Sequence, residues 1–380
     1  MGIYESLGVN TIINAAGTYT VLGGSRMSER TLADMAEAAR SFVSIRSLQQ
    51  AVHQALAELT NNESAYICNG AASGIYLSMA ACIEKKLHKR FFYVNRDEIQ
   101  QMNVVMFKAH RNPYDLVIGT LGLKYRELAF PNIILPPEPE DLSNAIDQNT
   151  VAVFYVHSGW VAPGYLPLEQ VIQIADRKGV PVIVDAAAQL PPVENLWRFS
   201  QMGAAFTLFS GGKDLKGPQS SGLVVGPKSY LDILASIGFP NYGIGRMLKV
   251  GREEIVGLYS AVKQYVEMDH AARLQWCEEQ VQRIQTAFTR HPLFFVTRSF
   301  PNEAGQPIPR AFVELKGTDT TPEQLCSYMR QGTPSVYVNS DGQNGIFINP
   351  MSLTAEEIGL IIQKLSMYSR ENAGNLPDGV

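Results

Sequence analysis

Apolar residues recur at helical spacing over residues 28–42 and 47–60, so two amphipathic helices are expected near the start of the chain. Strand-like and helix-like stretches then alternate. SAYICNG reads as a strand and SGIYLSMAACIEKKL as the helix that follows it. NVVMFK is a second strand, with a helical segment near 113–121 behind it. TVAVFYVHS and VPVIVDAA are buried strands on either side of LEQVIQIADRKG, a helix closed by a glycine cap. AAFTLFSGGK and SGLVVGP add two short strands. Continuously apolar strands separated by amphipathic helices predict an α/β fold, with a mostly parallel sheet covered on both faces.

The pattern places a large α/β domain over 45–255, preceded by an N-terminal segment over 1–44 that is expected to pack on it. A long helical pattern, REEIVGLYSAVKQYVEMDHAARLQWCEEQVQRIQTAF, leads out of this domain. Beyond it FFVTRSF, RAFVELKG, TPEQLCSYMRQ, GIFINP and TAEEIGLIIQKL suggest a smaller C-terminal α+β domain over 256–370. Residues 371–380 read as a frayed tail. Tyr93, Phe107 and Tyr155 are assigned to the core.

Composition narrows the class of function. The 380 residues carry a formal net charge of −4, with 46% apolar and 18% charged residues, as in ordinary globular proteins. An acidic balance disfavours nucleic acid as the main partner. No basic segment followed by an apolar run opens the chain, and no apolar run is long enough to span a bilayer, so a cytoplasmic protein is expected. Cys68, Cys82, Cys277 and Cys326 are widely separated and read as buried free thiols, with no metal site.

Open parallel sheets bind ligands at the carboxyl ends of their strands, and three such ends carry chemistry. In CNGAASG a strand runs through small residues into a helix. The free N–H groups there, around Ala71 and Ala72, and the Ser73 hydroxyl form a candidate phosphate cradle. Asp185 closes the apolar strand VPVIVDAA, where a carboxylate needs a compensating charge such as a protonated pyridinium. Ala186 and Ala187 beside it leave room for a flat ring. In FSGGKDLKGPQSSG, Ser210 precedes Lys213 by three residues, so hydroxyl and amine can face one ligand. Lysine is the residue that forms Schiff bases, and Lys216 competes with Lys213 for that role.

A phosphate cradle, then Asp185, then a Ser-x-x-Lys turn is similar to the order in fold-type I pyridoxal phosphate (PLP) enzymes, which share the aspartate-aminotransferase fold. INAAGT at 13–18, LAELTNNESAYICNGAASGIYLSMAA at 56–81 and FSGGKDLKGPQSSG resemble the selenocysteine synthase family more closely. That resemblance selects Lys213 as the PLP lysine and places Asp185 at the pyridinium nitrogen. It also implies Ser158 near the phenolic oxygen, where many relatives have asparagine, and His110 stacked on the ring. KAHRNPYD (108–115) and GRMLKVGREEIVGL (245–258) resemble the shorter branch that includes D-glucosaminate-6-phosphate ammonia-lyase.

The resemblance implies a PLP-dependent lyase that removes water and then ammonia from an amino sugar acid, working as a homodimer or larger even assembly. A selenocysteine synthase-like transfer on seryl-tRNA is the runner-up, although INAAGT begins almost at the first residue, without the extra region used for tRNA. Racemase, aldolase and β-replacement reactions would use the same lysine and aspartate. Arg46, Arg111, Gln189 and Arg246 are the candidate substrate contacts, with Lys249 and Arg252 as further basic residues.

Overall fold

The computed structural model describes residues 2–372, so the expected tail lies from residue 373 onward outside the described residues. Two compact units divide the chain. One is Ser25–Met268; the other joins the residues up to Gly24 to those from Asp269 onward. In chain order the strands are β1 (Ile12–Asn14), β2 (Ser64–Cys68), β3 (Asn103–Phe107), β4 (Lys124–Leu128), β5 (Thr150–Val156), β6 (Val182–Asp185), β7 (Phe206–Ser210) and β8 (Gly222–Gly226). They are followed by β9 (Phe294–Ser299), β10 (Arg310–Leu315), β11 (Ser335–Tyr337), β12 (Asn339–Ser340) and β13 (Gly345–Ile348).

The larger unit is built on a seven-stranded sheet in the order β2-β8-β7-β6-β5-β3-β4. Only β8 runs against the others, pairing antiparallel with both β2 and β7. β3, β5 and β6 are buried along their whole length, which explains why their sequences show no polar alternation. Helix Gly70–Leu87 is apolar on nearly every side because it lies across β5 to β8 beneath other helices. Ile75, Leu77, Met79 and Ala80 to Ile83 are all buried. Helix Leu168–Arg177 instead buries one stripe of Leu168, Val171, Ile172, Ile174 and Ala175, and ends where Gly179 takes a left-handed φ of 67°.

Sheet register aligns the strand ends that matter. Val156 pairs with Asp185, Asp185 with Leu208, and Gly222 with both Ser210 and Cys68. The carboxyl ends of β2, β5, β6 and β7 therefore come together across one edge of the sheet.

In the smaller unit, β12-β13-β10-β9 form an antiparallel sheet, and β1 pairs in parallel with β11. Its core joins Val281 and Ile284 of one helix, Ile361 and Leu365 of another, and Phe294, Val313 and Ile346 of the sheet.

Two local expectations are corrected. The pattern read as one helix over 252–288 breaks at Met268, where Asp269 accepts a hydrogen bond from the Ala272 N–H at 2.8 Å and starts a new helix. Phe107 and Tyr155 are core residues, but Tyr93 is 64% exposed on a short 3-10 turn. All four cysteines are buried and free. No helix among the described residues is long and apolar enough to cross a membrane, and no described cluster is arranged to hold a metal ion.

Candidate active site

Helix Gly70–Leu87 begins at the end of β2, so Ala71, Ala72 and Ser73 form its half-buried first turn. The amides of a first helical turn have no partners within the helix and concentrate positive potential. Here they open at the sheet edge where the other strand ends gather. The sequence reading began the helix at Ser73; the structure begins it at Gly70, making the small residues part of the helix itself.

Asp185 is 6% exposed at the end of β6. Its Oδ1 accepts the Ala187 N–H at 3.0 Å, and its carbonyl accepts the His157 N–H at 2.9 Å. Burial drives its carboxyl above the usual range, opposed by the Ala187 N–H and by the charge of Lys213. Lys213 shows the reciprocal effect. Burial lowers its amine, and Asp185 raises it again. The two side chains thus form an electrostatically coupled pair at the ends of β6 and β7, each made easier to neutralise by the loss of water.

The turn that carries Lys213 is held on several sides. Gly211 N–H donates to the Ser221 carbonyl at 2.9 Å, Gly217 N–H to the Gly211 carbonyl at 2.8 Å, and Ser25 Oγ to the Gly212 carbonyl at 3.0 Å. A Cβ at Gly212 would stand 2.6 Å from the Gln219 Cα, so this turn closes only with glycine there. Asp214, buried to 3% exposure, accepts the Tyr265 hydroxyl at 2.9 Å. Asp214, Tyr265 and Ser25 escaped the sequence reading; a charged residue next to the lysine was their only local signal. Lys216 takes a left-handed φ of 57° and donates its N–H to the Lys213 carbonyl, so it shapes the turn.

Ser210 and Ala187 are joined by a hydrogen bond from the Ser210 N–H to the Ala187 carbonyl at 3.3 Å. Ser158, just past β5, has a shielded Oγ without a hydrogen-bond partner. His110 is fully buried, with Nδ1 accepting the Val156 N–H at 3.3 Å and Nε2 left without a partner. The rings of Tyr155 and Tyr165 pack against it at 4.5 and 4.8 Å, and burial, then the charge of His157, pushes its pKa down to about 3. A neutral imidazole fixed among aromatic rings is the result.

The basic candidates separate into different settings. Arg111 is locked to Asp115 at 2.9 Å and to Glu127, over the Tyr125 ring. Arg252 donates to the Ala38 and Ala39 carbonyls and so closes the end of helix Glu29–Ala39. Arg46 is exposed and bonded to Asn241, Arg246 is exposed over the Phe239 ring, and Lys249 is exposed. Gln189 is buried, with its N–H donating to the Ala186 carbonyl at 3.0 Å. None of these basic side chains is hydrogen-bonded to Asp185 or Lys213 among the described residues.

A mostly parallel sheet with an amine and a carboxylate coupled at its strand ends is the architecture of the fold-type I PLP-dependent enzymes. Solved structures of that class, including one with the cofactor bound, share this fold. The chain matches the L-seryl-tRNA selenium transferase family over residues 12–286 and belongs to that family. It is 28% identical to D-glucosaminate-6-phosphate ammonia lyase of Salmonella typhimurium, over 96% of this chain and 96% of that protein. It is also 28% identical to 5'-C-glycyluridine monooxygenase-decarboxylase of a Streptomyces species, over 98% of this chain and 93% of that one. A solved D-glucosaminate-6-phosphate ammonia-lyase matches with a TM-score of 0.83 at 26% identity, covering 98% of this chain and 99% of that one. Pyridoxal 5'-phosphate is the cofactor. The residues present fit it, since the orphaned Ser158 hydroxyl, the open helix turn and the coupled Asp185 and Lys213 offer partners of the right kind.

Proposed function

We propose that the protein is an ammonia-lyase that removes water from a β-hydroxy α-amino acid and releases a keto acid and ammonia, with D-glucosaminate 6-phosphate as the first candidate substrate. The observation that carries this reading is the Asp185–Lys213 pair, an enclosed amine whose charge is set against an enclosed carboxylate. The match to the ammonia-lyase along nearly the whole of both chains supports the reaction class.

When bound, PLP supplies an electron sink for the negative charge that develops at the substrate Cα. Ala71, Ala72 and Ser73 would hold its phosphate, Asp185 its ring nitrogen, Lys213 its aldehyde carbon and Ser158 its phenolic oxygen, with the Ser210 hydroxyl facing the same ligand. His110 would lie against its ring. Burial lowers the Lys213 amine, so its neutral form is available to take the Cα proton. The protonated Nζ can then hand a proton to the β-hydroxyl, which departs as water. Asp185 holds a proton at the ring nitrogen, and the Ala187 N–H favours its ionised form for that task. The released enamine takes up water and yields the keto acid and ammonia, so no net oxidation or reduction occurs.

The first test is keto acid and ammonia release from D-glucosaminate 6-phosphate by the purified holoprotein, with Lys213→Ala alongside. Loss of the visible cofactor band and of turnover in the variant is expected. An intact band in the wild type with no keto acid from any β-hydroxy amino acid would sink the lyase reading. The equally long match to the Streptomyces decarboxylase favours, as a second reading, cleavage of another bond at Cα, which carbon dioxide release would reveal. Selenium transfer to seryl-tRNA would instead require tRNA binding in low salt, which the net charge of −4 disfavours. The exposed Phe42, Tyr242 and Met247 support a homodimer, and light scattering of the purified protein tests it.

A further inference from the structure

The turn that carries Lys213 lies along one face of helix Arg252–Glu267, and both belong to the unit Ser25–Met268. Gly257, Ala261 and Tyr265 follow one another at four-residue spacing, so they stand in a row on that face. A Cβ at Gly257 would stand 2.7 Å from Pro218 Cγ, and one at Gly217 would stand 3.0 Å from Leu258 Cδ1 and 3.5 Å from the Ala261 Cβ. Turn and helix therefore touch at their backbones, with no room for a larger side chain between them. At the far end of the row, the Tyr265 hydroxyl donates to Asp214 Oδ2 at 2.9 Å.

The two kinds of contact do different things. Apolar contacts press the turn against the helix without direction, whereas a hydrogen bond fixes a distance and an angle. Tyr265 is 2% exposed and Asp214 3%, so water does not compete for this bond. A bond to a charged acceptor in such a place is among the stronger ones. Asp214 follows Lys213 directly, so holding its carboxylate also holds the main chain from which the lysine departs. The two side chains part company there. The charge that acts on the Lys213 amine is that of Asp185, while Asp214 turns to the helix. Asp214 thus reaches the amine through the main chain.

We propose that Tyr265, acting through Asp214, is a positioning residue that sets where the Lys213 amine stands at the strand ends. That amine has to meet PLP, leave it for the substrate and return. A displacement of about 1 Å costs a reacting group on the order of 100-fold in rate. This role rests on Lys213 being the cofactor lysine and is independent of which substrate the protein takes.

Rapid mixing of PLP with the full-length apoprotein follows the rise of the visible band and needs no turnover. Tyr265→Phe keeps the buried ring and removes the donor. It is expected to slow the rise at least about tenfold, as is Asp214→Ala. Asp214→Asn still offers an oxygen to the hydroxyl, and its rate is expected to stay within about twofold of the wild type. Melting curves identify the variants that fold. If Tyr265→Phe does not, the comparison of Asp214→Asn with Asp214→Ala decides. An unchanged rate in Tyr265→Phe, or a rate in Asp214→Asn as slow as in Asp214→Ala, overturns the positioning role while Lys213 keeps the cofactor. A band that persists in Lys213→Ala overturns it together with the lysine assignment.

Discussion

Gly222 stands against the first turn of helix Gly70–Leu87: a methyl group there would lie 2.6 Å from the Gly70 carbonyl carbon and 2.8 Å from the Ala71 amide nitrogen. Those amides are the proposed phosphate donors, so the strand has to leave them room. Gly222→Ala is expected to displace the turn and weaken PLP binding at least about tenfold, roughly 1.4 kcal/mol, with the secondary structure intact. Titrating the apoprotein with PLP and following its visible absorbance measures this. Unchanged affinity would separate this turn from the cofactor.

Asp185 places function against stability. Its folded pKa is raised, so the stability it contributes is present below the ordinary carboxyl range and is lost as pH rises through the folded value. Above the ordinary carboxyl range the apoprotein therefore carries the cost of keeping this group out of water. Asp185→Asn can still accept the Ala187 N–H, and it is expected to melt a few degrees higher as apoprotein. Turnover of the loaded variant is expected to fall by about 100-fold or more. A lower melting temperature would show that the pairing with Lys213 outweighs desolvation.

His53 gives the fold an acid limit. Its Nε2 accepts the Ile67 N–H of edge strand β2 at 3.1 Å, and burial holds its pKa down to about 4. The unfolded chain takes up that proton near pH 6.5, before the folded chain does. The stability is full above that value and is lost as pH falls toward about 4, a change on the order of 3 kcal/mol. His53→Gln keeps an acceptor without the titration. Urea midpoints at neutral pH and pH 5 should differ less in the variant than in the wild type, with His110 still supplying part of the difference.

Arg111 is expected to act on stability rather than on substrate binding. Its Nε holds the carboxylate of Asp115, whose side chain is 0% exposed and has one oxygen without a partner. Arg111→Ala would leave that carboxylate buried without its countercharge, held only by the Asn112 N–H at 2.8 Å, at a cost of about 3 kcal/mol in denaturant unfolding. A raised KM with unchanged stability would return Arg111 to the substrate site.

The positions of Asp185 and Lys213 were legible because their local signals are unusual: a carboxylate ending an all-apolar strand, and a lysine inside a glycine-rich turn. Other roles carried no such signal. Arg111 and Arg252 look alike in sequence, yet one neutralises a buried aspartate and the other closes a helix end. The helix break at Asp269 was hidden because the apolar spacing continues across it, and only the capping bond to Ala272 marks the new start. Asp214 and Tyr265, 51 residues apart, meet only when the chain folds.

The sequence alone determined the alternation of strands and helices, the mostly parallel sheet and the residue types at its strand ends. Side-chain periodicity and turn chemistry are local properties, and they are written in neighbouring residues. Tertiary structure decided what each polar group faces: the coupling of Asp185 to Lys213, the unmet hydroxyl of Ser158, and the closeness of Gly222 to Ala71. Desolvation and hydrogen bonding depend on atoms brought from distant parts of the chain, so pKa values and open valences exist only once the fold is made.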